Sequence, residues 1–201
     1  PPRWGRNPFN NTVLLKNDFH FSKVHEYRLN VGDIKCLWDL SRFNWAPILA
    51  RAYRVSAKPI YIATLRSWLT DWMQKNPVNQ GVHWGCAQEC SIRALNLLLA
   101  LHILAIEFPA ARGALVRFLI HTCHRIYQSL GYGFAQQNNH GTSEAAALYI
   151  VSNWLLYYCH ELTEVERELL RKYSSVGQTQ LEKLVLTLIR SDGSFSQRSV
   201  I

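Results

Sequence analysis

Polar and apolar positions alternate over helical distances along nearly the whole chain. From Asp33 onward, Ile34, Leu37, Trp38, Leu40, Trp45, Ile48, Leu49, Ala52 and Tyr53 recur at the spacing of one helix face, and Pro47 among them predicts a kink or a division. Pro59 suits a first helical turn and Asn76-Pro77 is a firm stop, so a second helix is expected from about Pro59 to Gln74. Trp84, Ala87, Ile92, Leu95, Leu98, Leu99 and Leu101 define a long helix from about His83 to Glu107, closed by Phe108-Pro109. A further helix, from about Ala110 to Leu130, leads to the turn signal Gly131-Tyr132-Gly133. Three more are expected, from about Ser143 to His160, Thr163 to Tyr173 and Thr179 to Arg190, with Thr163 and Glu166 forming a capping box. Residues before about 30 lack this period: Pro8, Asn10-Asn11 and a short alternation from Asp18 to Phe21, with room for one strand, describe an irregular arm or lid.

The sum is an all-α fold of about seven helices joined by short loops, hence antiparallel helical hairpins, either stacked as a solenoid or curled into a toroid around a cleft. The division expected is an irregular arm over 1–30 and a helical domain over 31–201. Hydrophobic residues at 48% and charged residues at 18% exclude a disordered chain. No apolar run reaches the roughly 18 residues of a membrane span, since the stretch Leu95 to Ile106 is short and holds His102, read as a satisfied core histidine. Five cysteines are an odd number, set within helical runs, and read as buried thiols rather than a disulfide framework. Cys86 and Cys90 with His83 form a conceivable metal corner, but no CxxC accompanies them; no metal or cofactor is expected. The start Pro1-Pro2-Arg3-Trp4 has no initiator Met, so the chain reads as a fragment.

Candidate chemistry gathers at Gln136-Gln137-Asn138-Asn139-His140-Gly141-Thr142-Ser143-Glu144, where polar side chains crowd between two apolar helical runs. Gly141 would give this loop its freedom and Thr142 or Ser143 would cap the helix that follows. Amides and an imidazole beside a positive helix end suit an anion such as a carboxylate, sulfate or phosphate; an ordinary interhelical loop with an Asn turn is the alternative. The net charge of +8 adds that the partner is acidic: nucleic acid, an anionic membrane surface or an anionic polysaccharide. The basic residues are scattered, and neither a zinc-finger spacing nor an RNA-binding signature is present, so no nucleic-acid partner is expected. Seven Trp and nine Tyr fit a sugar-stacking groove and fit core packing equally well.

Four segments in order resemble one family. Asp33-Ile34-Lys35 with Trp38-Asp39-Leu40-Ser41-Arg42, then Asn76 to Trp84 running into Gln88-Glu89-Cys90-Ser91-Ile92-Arg93, then Asn138-Asn139-His140, and last Asp192-Gly193-Ser194-Phe195 with Gln197 and Ser199, look like the N-terminal helical domain of the heparinase II/III-like proteins. That group includes lyases of heparan sulfate, related glycosaminoglycans and alginate. The resemblance covers about residue 30 to the end. It implies an incomplete α/α toroid that binds a uronate-containing, acidic polysaccharide, followed in family members by a β-sandwich domain absent here. It implies β-elimination, with Asn139 and His140 matching the catalytic pair that neutralises the uronate carboxylate. Asn138, Gln88, Glu89, Arg93, Trp84 and Glu144 are the accompanying substrate-binding candidates. The family's tyrosine and second histidine are expected beyond Ile201, so this fragment would be inactive while the intact protein would be a periplasmic or secreted lyase.

Plainer roles stand beside these. Glu89 and Arg93, at i,i+4, either line the cleft or form an intrahelical ion pair; Trp84 flanks the groove or sits in the core. Arg42 orients an acidic sugar or pairs with Asp39 at the surface. His121 and His124, flanking Cys123, read as ordinary helix residues. The rival functions are a non-catalytic protein of exopolysaccharide assembly or export and a helical-hairpin scaffold for protein partners.

Overall fold

The computed structural model describes residues 1–14, 18–24, 29–104 and 112–196, which divide into two compact units, Pro1–Pro109 and Ala110–Ile201. Among the described residues the architecture is all-α. The first unit holds α1 (Lys35–Ser41), α2 (Trp45–Ser56), α3 (Pro59–Lys75) and α4 (Ala87–Ile103); the second holds α5 (Arg112–Ala135), α6 (Asn139–Tyr158) and α7 (Glu164–Leu188). The expected ends Glu107, Phe108-Pro109 and Ala110, and the segment residues Gln197 and Ser199, lie outside the described residues.

In the first unit α2 packs against α3 and α4. The helical period that begins at Asp33 is divided, as its proline suggested, but not at the proline. The break falls at Arg42–Asn44, where Phe43 takes a left-handed φ of 61°. Pro47 sits in the first turn of α2, where its missing N–H would have had no intrahelical partner. A 3-10 turn over Val82–Trp84 precedes α4, so that helix starts later than the apolar pattern suggests. His102, expected in the core, is exposed in the last turn of α4.

The irregular arm is tied to these helices. Trp4 is buried, donates from Nε1 to Asp71 Oδ2 of α3 at 2.7 Å, and accepts at its carbonyl from His83 Nε2 at 3.1 Å. Asp18 to Phe21 does not form a strand: a 3-10 turn runs over Phe21–Lys23, and His20 makes only an isolated bridge to Gln80.

The second unit is three long helices in sequence, each packed on the next. Its glycines correct the reading of this region. Gly131-Tyr132-Gly133 is not a turn; α5 continues through it to Ala135. Helix α6 begins at Asn139, and its N-cap is Asn138, whose Oδ1 accepts from the His140 amide at 2.9 Å, in place of Thr142 or Ser143. Gly141 is therefore helical, and its role is close approach: a Cβ there would lie 2.9 Å from the Gly133 carbonyl oxygen. The two helices expected from 163 to 190 are one, because Gly177 marks a crossing and not a gap; a Cβ on it would lie 2.7 Å from the Tyr149 backbone nitrogen of α6. The Thr163–Glu166 capping box opens α7, with both reciprocal bonds made.

The five cysteines are all free; Cys90, Cys123 and Cys159 are buried. Burial raises the Cys123 thiol pKa to about 12. Among the described residues no helix is long and apolar enough to cross a membrane, and no group of three or more His, Cys, Asp or Glu side chains is placed to hold a metal ion.

The helical glycines separate by function under substitution. Gly177→Ala forces a methyl onto the α6 backbone and is expected to destabilise by about 1–3 kcal/mol. Gly131→Ala, with open space around the new Cβ, is expected to stabilise by about 0.5–1 kcal/mol through helix propensity. Denaturant melts of the two variants check both signs; a neutral Gly177→Ala would disprove the close crossing.

Candidate functional site

The Asn/His segment is built from the end of α5 and the first turn of α6. Asn138 is half-buried and fixed twice, by its cap bond and by Nδ2 donating to Gln136 Oε1 at 3.1 Å. Asn139 is exposed. Its carbonyl accepts from Thr142 Oγ1 at 3.1 Å and Ser143 Oγ at 2.7 Å, while its carboxamide takes no partner among the described residues. The residue thus presents two amide N–H donors at a helix start, the end of a helix where a negative charge is favoured.

His140 follows half-buried, with Nδ1 3.8 Å from Glu144 Oε1, one helical turn on. That separation is an ion-pair distance and too long for a hydrogen bond. Glu144 is 2% exposed, and its Oε2 has no hydrogen-bond partner among the described residues. Its carboxylate occupies the space that the missing side chain of Gly133 leaves: a Cβ there would lie 2.7 Å from Oε2. Gly133 therefore makes room for the acid, and the acid underlies the imidazole. Asn138, Asn139, His140 and Glu144 are brought together within one unit.

The other candidates lie in the first unit, on and just before α4. Gln88 is half-buried, whereas Glu89, Arg93 and Trp84 are buried, Arg93 and Trp84 at 0% exposure. The i,i+4 ion pair between Glu89 and Arg93 is not made. Glu89 instead accepts both Nε and Nη2 of Arg42, at 2.7 and 2.8 Å, in the bidentate geometry that suits a guanidinium to a carboxylate. This hydrogen bonding raises the Arg42 pKa. Asp39, the surface partner suggested by spacing, stands at 3.4 Å and adds less.

Arg93 is a buried cation satisfied by backbone and rings. Its Nε donates to Ser41 O and its Nη2 to His83 O, each at 2.7 Å, and its guanidinium lies 4.3 Å from the Trp72 ring centroid. Phe43 and Trp84 each stand 5.8 Å away. One side chain thus joins the end of α1, the turn before α4 and the face of α3. Trp84 completes the same arrangement through Nε1 donating to Asn76 O at 3.2 Å. Sequence spacing could place these residues on one face, but it could not say that the face turns inward.

His83, considered as a metal corner with Cys86 and Cys90, is 1% exposed and spends Nε2 on the Trp4 carbonyl. Burial, reinforced by the Arg93 charge, lowers its pKa from 6.5 to about 3. Below pH 6.5 the unfolded chain gains a proton that the folded one refuses. The contribution is therefore complete above pH 6.5 and declines as pH falls toward 3, by up to about 1.4 kcal/mol per pH unit. His83→Gln, which keeps a donor for Trp4, is expected to flatten this slope in urea melts between pH 7.5 and 5; an unchanged slope would place the proton uptake elsewhere.

No curated protein and no solved structure matches the chain. A family model does: that of the Heparinase II/III N-terminus matches residues 11–178, which include the arm from Asn11, the buried Arg93 arrangement and the Asn138–Glu144 segment. Because the match takes in most of the 201 residues, the chain belongs to the Heparinase II/III N-terminus family.

Proposed function

We propose that this chain is the helical part of a polysaccharide lyase-like protein, its hairpins belonging to an incomplete α/α toroid, and that it binds acidic, uronate-containing polysaccharide. The observation that carries the reading is Asn139: an exposed carboxamide with no partner among the described residues, at the first turn of α6, beside a half-buried imidazole. Membership of the heparinase family supports the ligand class. The net charge of +8 supports an anionic one. The scaffold alternative would be supported by an exposed apolar concave face with Asn139 and His140 buried and hydrogen-bonded to backbone; Asn139 is instead exposed.

The chemistry assigned to the intact protein is β-elimination. A base removes the proton on C5 of the uronate, the C4–O4 bond breaks, a C4–C5 double bond forms, and the departing oxygen takes up a proton. The C5 proton is too weakly acidic while the adjacent carboxylate keeps its full charge. In this reading Asn139 donates to that carboxylate and to the enolate-like charge that grows on it, and His140, seated over Glu144, assists. Asn138 holds the first turn in register. Gln88 offers polar surface on α4, while Glu89, Arg93 and Trp84 serve by holding their elements in place. The base and acid are assigned to a tyrosine and a second histidine outside these residues, and a secreted or periplasmic setting follows from the substrate class.

The test is calorimetric titration of the chain with saturated uronate oligosaccharides from heparan sulfate and alginate. Asn139→Ala is expected to weaken binding about tenfold or more, equivalent to about 1.4 kcal/mol for the lost charged hydrogen bond. In the intact protein the same change should abolish the ultraviolet absorbance of unsaturated uronate products. Equal affinity in variant and parent chain would overturn the assignment.

A further inference from the structure

We infer that the groove between α5 and α7 is a second carbohydrate site, one that takes a neutral pyranose ring. Its ligand class rests on the polysaccharide reading above; its geometry does not. His124, Tyr127, Gln128 and Phe134 form a stripe along α5, facing Val176 and Gln180 of α7 across a groove of about 470 Å3. Ligand sites commonly measure roughly 300–1,000 Å3.

The walls of this groove are set in advance. The Tyr127 ring lies 4.7 Å from that of Tyr173, which is 1% exposed, and Lys172 Nζ stands 5.0 Å from the Tyr127 centroid. Gln128 Nε2 donates to His124 Nε2 at 3.0 Å, which leaves Nδ1 as the ring's donor toward Tyr173 Oη at 2.7 Å. The Gln128 carboxamide keeps its oxygen and second N–H for another partner. Opposite, Gln180 Oε1 is buried and has no hydrogen-bond partner among the described residues. A buried acceptor left unmet is costly, so a turn of the half-buried Gln180 side chain that brings its amide to a donor in the groove is favoured. Were the amide turned over, it would ask for an acceptor; a hydroxyl answers either orientation.

Charge and shape narrow the ligand. The described lining residues themselves carry no carboxylate, ammonium or guanidinium, and the nearby Lys172 ammonium, over the Tyr127 ring, is solvent-exposed, so a full charge on the occupant is offset only weakly. A purely apolar occupant would leave the Gln180 and Gln128 amides unanswered. A pyranose ring has an apolar C–H face for Tyr127 and Phe134 and hydroxyls at its edge for the two amides. Phe134 is in the last turn of α5, and Asn139 in the first turn of α6. One turn beyond Gln180, Leu184 approaches Gly141, within 3.1 Å of where a Cβ would stand. The Phe134 end of the groove and Asn139 therefore lie toward the same end of the three-helix unit, so a sugar chain engaged at Asn139 can place a nearby neutral residue in the groove.

The test is a nuclear magnetic resonance titration of the chain with neutral tetrasaccharides of glucose, mannose and N-acetylglucosamine. The side-chain amides of Gln128, Gln180 and Asn139 are followed. At least one sugar should shift the Gln128 and Gln180 signals saturably and leave Asn139 unmoved. Gln180→Leu, and separately the exposed Gln128→Ala, should each weaken that binding about fivefold or more, with thermal melts showing that both fold. Asn139→Ala should leave it intact. No shift with any of the three sugars at about 10 mM, or undiminished binding in both groove variants, overturns the inference. Failure of the unsubstituted chain to bind uronate oligosaccharides, with the neutral-sugar shifts retained, would remove the acidic-substrate reading and leave this site standing; uronate binding without any neutral-sugar shift would remove this site alone.

Discussion

The second unit depends on three places where no β-carbon fits. Gly141 meets the Gly133 carbonyl, Gly133 meets the Glu144 carboxylate, and Gly177 meets the α6 backbone at Tyr149. Each glycine costs helix stability relative to alanine. The compensation is backbone approach at Gly141 and Gly177, which sets α6 against both of its neighbours and fixes where its first turn stands, and room for the buried Glu144 carboxylate at Gly133. Asn139 and His140 are presented from that turn. Their position is thus a consequence of packing several residues away, and the polar segment is less a loop than the capped beginning of a tightly held helix.

In the first unit a buried guanidinium plays the comparable part. An unpaired buried cation would be prohibitive, yet Arg93 has two carbonyl acceptors at 2.7 Å and the face of Trp72 beneath it. The carbonyls belong to Ser41 and His83, so the ends of two irregular connections are fixed by one side chain. His83 then reaches Trp4, and the arm is tied down through the same chain of contacts. The proximity of Arg93 also disfavours a second positive charge, one reason the His83 imidazole resists protonation.

The helical period made the fold class legible, and the Thr163–Glu166 box gave the start of α7 exactly because capping is local chemistry. Glycine misled wherever its reason was tertiary. Gly131, Gly133, Gly141 and Gly177 resemble breakers in sequence, but the last three are explained by atoms on another helix, which no local pattern contains. The same limit applies to Glu89 and Arg93. Their spacing suggests each other, whereas their partners, Arg42, Ser41 and His83, lie at sequence distances fixed only by packing. The groove residues His124 and Gln180 gave no signal at all, since isolated His and Gln on amphipathic helices are ordinary until their neighbours are known.

The two kinds of polar surface on the second unit differ in what they can hold. At Asn139 the donors stand at a helix start, where the aligned peptide dipoles add a positive contribution that falls off within the first turn. An anion gains there from the amide and the dipole together, and the amide, having no titratable proton, offers the same donors at every physiological pH. Along the α5–α7 groove the peptide groups are already engaged within the helices, and the side chains of Gln128, Gln180, His124 and Tyr127 supply the polarity. Such a surface discriminates by hydroxyl placement and ring shape rather than by charge. A polymer that alternates charged and uncharged rings could satisfy both surfaces, whereas a uniformly charged one would have to bring a carboxylate against Tyr127 and Phe134 with only the solvent-exposed Lys172 ammonium nearby to balance it. Specificity between such polymers would then be decided by the cost of desolvating charge in the groove, with the Asn139 turn contributing affinity to either.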